Sequence, residues 1–127
     1  MERRAIFSGS AFEERFGYAR AVVDGDRVYV SGTTGFDYGT MTISLDVAEQ
    51  AEQCLQNIQA ALAEAGGSVA DAVRVRYLLP DPADFEKCAP VLHRWFGAVR
   101  PAATMMVCGL LDPRMKIEIE VDARLRR

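Results

Sequence analysis

Residues 46–67 read DVAEQAEQCLQNIQAALAEAGG, and residues 73–79 read VRVRYLL. In the first stretch Ala48, Ala51, Leu55, Ile58, Leu62 and Ala65 recur at spacings of three and four, so they share one face of a helix. Asp46 and Glu49 form a capping-box pair ahead of it, and Gly66-Gly67 stops it. In the second stretch the period drops to two. Val73, Val75, Tyr77 and Leu79 alternate with Arg74, Arg76 and Leu78, which is the pattern of a strand with one buried face. A long amphipathic helix followed at once by an alternating strand implies that helices pack on a sheet.

Downstream, Pro80 ends the strand, and Asp81-Pro82 opens a second helix with Asp at the cap and Pro in the first turn. Its stripe is Phe85, Ala89, Leu92 and Phe96, with Gly97 as the stop. Pro90 lies inside and predicts a kink or a split, because proline lacks the N–H that an inner turn needs. Residues 103–108 read as a strand. Residues 115–125 read as a long one with strict alternation: Met115, Ile117, Ile119, Val121, Ala123 and Leu125 one way, Lys116, Glu118, Glu120, Asp122 and Arg124 the other. Upstream, Ala19–Val23 and Val28–Val30 flank Asp24-Gly25-Asp26, a hairpin signal. That second strand ends at Ser31-Gly32, and residues 35–39 form a loop carrying Phe36 and Tyr38. An early strand over Arg3–Phe7 completes the list. The expected fold is α+β, a two-layer sandwich with two helices on one face of a sheet of five or six strands, built from residues 1–127 as a single domain. The other sheet face carries Arg74, Arg76 and Glu120 beside Leu78, so solvent or a second copy must cover it.

Composition narrows the function. Half of the 127 residues are apolar, and fifteen basic against eighteen acidic side chains leave a formal charge of −3. That sign opposes a nucleic-acid footprint, which needs a dense basic patch; Arg124, Arg126 and Arg127 read as a solvated tail. No run of apolar residues is long enough for a membrane span, and the first residues lack a signal-peptide pattern, so a cytoplasmic protein is expected. Cys54, Cys88 and Cys108 show neither zinc nor disulfide spacing and read as small hydrophobes with free thiols. His93, the one histidine, has no partner placed to make a triad. Gly32, Gly35 and Gly39 open no helix and make no phosphate loop. No metal and no cofactor are expected.

Four segments then stand together. Arg27-Val-Tyr-Val-Ser-Gly32, Gln56-Asn57-Ile58 through Ala65-Gly66, Arg100-Pro101-Ala102 and Lys116-Ile-Glu-Ile-Glu120 resemble, in this order and spacing, the signatures of the reactive-intermediate deaminase (Rid, or YjgF-like) family. The likeness spans almost the whole chain. It implies a chorismate-mutase-like fold, a homotrimer, and a small-molecule pocket between subunits. In active family members the pocket hydrolyses imines and enamines: an arginine clamps the substrate carboxylate and a glutamate positions or activates water. The resemblance places that catalytic glutamate at Glu120 and the substrate-binding set at Tyr18, Ser31, Gly32, Ala103 and Met105. Position 103 departs from the pattern. Active relatives read Pro-Ala-Arg, whereas this chain reads Pro101-Ala102-Ala103, which removes a bidentate carboxylate fork. Arg20, Arg74, Arg76 and Arg124 are the arginines that could stand in.

Read from the residues alone, Glu120 is one more charge on a solvated face, and Glu118 an ion-pair partner for a base on a neighbouring strand. Tyr18 is then a core aromatic with a wet hydroxyl, and Ser31 a turn residue. Three functions follow: an imine or enamine hydrolase with altered substrate recognition; a non-catalytic small-molecule-binding or regulatory trimer; and an endoribonuclease or translation inhibitor, which the acidic balance ranks last.

Overall fold

The computed structural model describes residues 2–126. Strand β1 (Arg3–Ile6) leads into a short helix α1 (Ala11–Phe16), then the hairpin β2 (Ala21–Asp24) and β3 (Arg27–Thr34). A miniature hairpin, β4 (Phe36–Asp37) and β5 (Thr42–Ile43), precedes the long helix α2 (Val47–Glu64) and strand β6 (Ala72–Leu79). Helices α3 (Ala83–Lys87) and α4 (Ala89–Phe96) and strands β7 (Ala102–Val107) and β8 (Glu118–Arg124) complete the chain. The main sheet runs β1-β2-β3-β8-β6-β7, antiparallel except for β6–β7. The α+β sandwich is as expected, with four helices where two were read.

Burial explains the layers. Leu55, Ile58 and Leu62 of α2 are fully buried against Val28, Val30, Val75, Ile119 and Val121 of the sheet. Each such side chain contributes about 1.5–3 kcal/mol on leaving water. Asp46 Oδ2 accepts the Glu49 N–H at 2.9 Å, but Asp46 N donates to Ser44 Oγ rather than to Glu49, so only half of the expected box forms. The complete box is Ser68 with Asp71, which opens the turn into β6. Pro90 splits the second helix as expected, lying in the first turn of α4, where its missing N–H costs nothing.

Three readings are corrected. Val73, expected inside, is 43% exposed, because the β6–β8 register shifts between Ala72 and Arg74 and puts Ala72 inside instead. The last strand pairs only from Glu118. Before it, Gln50 of α2 serves as the partner: its side chain donates to Ser44 O and Arg114 O and accepts from Lys116 N. Residues 36–43 are not open loop. Phe36, Tyr38 and Met115 form a second small core with Phe12 and Ile43. Gly35 makes this possible, since a Cβ there would lie 2.5 Å from the Gln50 Cα.

Among the described residues no helix is long and apolar enough to cross a membrane. The outer sheet face, with Tyr29, Arg74, Arg76, Leu78, Glu120 and Asp122, has no covering layer from this chain.

Candidate active site

Strand β3 breaks its register with β8 between Val30 and Thr33, leaving Ser31 and Gly32 in a bulge. Bulges re-aim side chains and cluster beside functional sites. Four of the bulge's polar groups are engaged within the fold. Ser31 N donates to Arg20 O, Ser31 Oγ to Ala19 O at 2.7 Å, Thr33 Oγ1 to Ser31 O, and Arg20 Nη1 to Gly32 O at 2.8 Å. Beside it lies a groove of about 780 Å³ lined by Phe7, Tyr18, Ala19, Val22 and Ser31 together with residues of α1. Tyr18 and Ser31 therefore line one groove, and Gly32 adjoins Ser31 in the chain.

The two carboxylates have different surroundings. Glu120, read as the pocket glutamate, is held by Arg76 Nη1 at 3.2 Å, and the same nitrogen reaches Asp122 at 3.4 Å. These two strand neighbours face Arg76 because it is Glu120's register partner on β6. Glu118, read as an ion-pair partner, makes no ion pair or side-chain hydrogen bond among the described residues. Its carboxylate lies against Gly32, where a Cβ would stand 2.6 Å from Glu118 Oε2. Burial, and then the charge of Glu120, hold the Glu118 carboxyl above its ordinary 4.5, while Arg20 pulls it down. A half-buried, unpaired carboxyl of raised proton affinity is a form in which a glutamate can act as acid and as base.

Ala103 and Met105 do not join this group. They lie on β7 in register with Val75 and Tyr77, and so on the helix side of the sheet edge; Met105 is 52% exposed. β8 pairs with β3 and β6 and not with β7, so Ala103 and Glu120 do not lie on paired strands. Three strand spacings, about 14 Å, separate β3 from β7.

The four stand-in arginines are also placed. Arg20 is buried and bound to Glu13, Arg76 holds Glu120 and Asp122, and Arg124 holds Asp26. Arg74 bonds only a hydroxyl, Thr104 Oγ1 at 3.0 Å, on the outer face rather than on Ala103's side. His93 is exposed on α4, Cys54 and Cys88 are buried, and Cys108 is half-buried. Among the described residues no group of His, Cys, Asp and Glu is placed to hold a metal ion. Sequence reasoning named Arg20 only as a stand-in clamp and missed Glu13 and Gln50. Only Gln50 left a signal, as a polar residue on the inward stripe between Val47 and Cys54.

An α+β sandwich with a bulged strand beside an acidic side chain defines a known class. The chain belongs to the family described as Endoribonuclease L-PSP, whose profile matches residues 8–125. A RutC family protein of Pyrococcus abyssi is 33% identical over 124 residues, spanning 97% of this chain and 98% of its own length. The human 2-iminobutanoate/2-iminopropanoate deaminase is 31% identical over 122 residues, 95% of this chain and 89% of its own. Among solved structures, a Mycobacterium tuberculosis member of the YjgF/YER057c/UK114 family superposes with TM-score 0.89 at 37% identity, covering 98% of this chain and all of that one. The YjgF gene product of Escherichia coli gives 0.87 at 29% identity over 97% of this chain and 99% of its own.

Proposed function

We propose that the chain hydrolyses the C=N bond of small imines, or of the enamines that tautomerise to them, lacking the carboxylate that an arginine would clamp. The observation that carries this reading is Glu118: a carboxyl held by burial above its ordinary value, unpaired, at the bulge beside Tyr18 and Ser31. Its protonated form gives a proton to the imine nitrogen. Its carboxylate takes one from the water that adds to the imine carbon, and the tetrahedral amine then collapses to a carbonyl compound and ammonia. Glu118, rather than Glu120, carries this step, because Arg76 holds Glu120 through its Oε1. The relative named as an iminobutanoate and iminopropanoate deaminase supports the reaction class. Ala103, which offers neither charge nor donor, argues for a changed substrate.

One protomer supplies Tyr18 and Ser31 from its groove and Glu118 from against the neighbouring bulge. The β7 edge of a neighbour supplies Ala103 and Met105, in a homotrimer whose outer sheet faces cover one another. A non-catalytic binding trimer is the second reading, favoured by the same alanine. An RNA-directed activity finds little support, since Arg76, Arg94, Arg114 and Arg124 are already spent on carboxylates.

The test is ammonia release from imines generated in situ by an amine oxidase, beside 2-imino acids generated by an amino-acid oxidase. Turnover of the first that Glu118→Gln abolishes, with weak or no turnover of the second, is expected. A folded protein that accelerates neither leaves the binding-protein reading.

A further inference from the structure

Arg20 and Glu13 are a buried ion pair, with side chains 1% and 3% exposed, in a domain small enough to fill that space with apolar groups. Burying two charges costs several kcal/mol per ion unless geometry repays it, and such a pair is weak evidence for stability. What the pair touches is the informative part. Arg20 Nε donates to Glu13 Oε2 at 3.1 Å, and Glu13 also accepts from Ser8 N and Ser8 Oγ, which fixes it in place. Arg20 Nη1 donates to both Gly32 O and Thr33 Oγ1, at 2.8 and 3.0 Å. The guanidinium carbon lies 4.5 Å from the Tyr38 ring centre and 5.6 Å from that of Tyr18. Nη2 is buried with no acceptor and is left to the aromatic faces. One side chain thus grips the bulge carbonyl that the β3–β8 ladder cannot pair, and borders a groove residue.

Resting on the assignment of the acid–base role to Glu118, we propose that Arg20 is the positioning residue of the site: it fixes the bulge against which Glu118 lies and supplies the buried positive charge that Glu118 feels through it, with Glu13 as the counterweight that moderates that charge. The groups around Glu118 are few. Glu120 shares its strand and is itself neutralised by Arg76 of β6. Leu78 is the β6 register partner and Thr34 the β3 one. On α2, Cys54 donates its Sγ–H to Thr33 O, and burial keeps that thiol protonated. Arg20 is the one cation among the causes that shift Glu118, and it acts against burial and Glu120.

This makes opposite-signed predictions for two variants. Glu13→Gln keeps an acceptor for Arg20 Nε but removes the counterweight, so the Glu118 titration midpoint falls. Glu13→Gln with Arg20→Gln removes both charges, so the midpoint rises above that of the unsubstituted protein. The readout is carboxyl carbon-13 NMR of glutamate-labelled protein, with the Glu118 signal assigned by its loss in Glu118→Gln. Shifts of at least about half a pH unit in the two directions are expected. Unmoved midpoints, or two shifts of the same sign, overturn the proposal. Should the double variant not fold, Glu13→Gln decides alone, a fall supporting the proposal and its absence overturning it. Arg20→Lys tests the clamp separately. Lysine keeps the charge but cannot span Glu13, Gly32 and Thr33 together, so amide exchange at Thr33 and Thr34 should quicken at least tenfold, and unchanged exchange refutes the clamp. None of these measurements needs turnover. A protein with deaminase activity and unmoved midpoints sinks this inference alone, and one with moved midpoints and no activity sinks the catalytic reading alone.

Discussion

Glu118 and Glu120 stand two residues apart on one face of one strand, yet their surroundings set them different tasks. Arg76 neutralises Glu120 in a partly exposed pair worth at most about 1 kcal/mol. Glu118 has Gly32 in front of it and burial around it. Because its folded proton affinity is raised, the neutral form is the one folding favours. Its contribution is full below the unfolded value near 4.5 and is lost as pH rises through the higher folded value. Glu118→Gln, neutral at every pH, should therefore be no less stable than the natural protein at pH 7, with its relative gain growing from acid to neutral pH, while activity disappears. Urea midpoints of both proteins between pH 4 and 8 check the sign, and a variant whose stability relative to the natural protein falls as pH rises contradicts it. The two close-packed glycines separate in the same way. Gly32→Ala meets only the end of the flexible Glu118 side chain, so the fold survives and activity falls. Gly35→Ala meets the α2 backbone at Gln50 and should cost roughly 1–3 kcal/mol. Alternation in the sequence shows that both glutamates face outward. Which of them is neutralised depends on strand register, which alternation does not carry.

The elements most legible in the sequence are those whose own period is long enough to speak: α2, the β2–β3 hairpin, β6, and the helix divided at Pro90. Those that were lost lean on tertiary partners. Helix α1 has six residues, Ser10 at its N-cap and a left-handed Gly17 (φ 73°) at its end, and too little stripe to betray it. The Phe36 hairpin forms because Tyr38 and Met115, distant in sequence, share its core. Chain neighbours often pair, but β7 does not pair with β8: it runs parallel to β6 and forms the sheet edge, which its own residues do not signal. Met115 to Ile117 keep strand-like alternation without a strand partner because the Gln50 amide stands in for one. Gln50→Leu would keep the volume and leave three backbone groups unpaired, each costing about 1–3 kcal/mol. A drop in the thermal midpoint of roughly 10 °C or more is expected, with residues 110–117 losing hydrogen-exchange protection first. A fall of under 2 °C would mean that water replaces the amide readily. The thiols follow their elements too. Burial pushes Cys88 up to about 11 and Cys54 further, so alkylation of the native protein should reach Cys108, after the edge strand, well before either.

At the scale of the molecule, the proposed site draws on two separated parts of one chain: a groove beside a bulge that Glu118 faces, and an exposed edge strand some three spacings away. The resemblance seen in the sequence gathered the residues of both into one list, because a list carries no distances. If these parts meet between copies, the missing carboxylate clamp can be supplied in trans. Ala103→Arg alone should confer hydrolysis of 2-imino acids, mainly through a lower KM, since a carboxylate fork binds substrate and transition state alike. Ala103→Arg combined with Glu118→Gln should be inactive by itself, having the clamp but no acid. Co-expressed with the natural chain, which has the acid but no clamp, it should regain that hydrolysis. About a quarter of randomly assembled sites draw the new guanidinium from one chain and Glu118 from its neighbour. Each parent alone contains no such site, so activity of the mixed trimers above the sum of the parents can arise only across an interface. If Ala103→Arg is active alone and the mixed protein is not, the clamp and the acid belong to the same chain and the shared site is wrong. If Ala103→Arg is folded, trimeric by light scattering and inactive, the groove has diverged from imine chemistry.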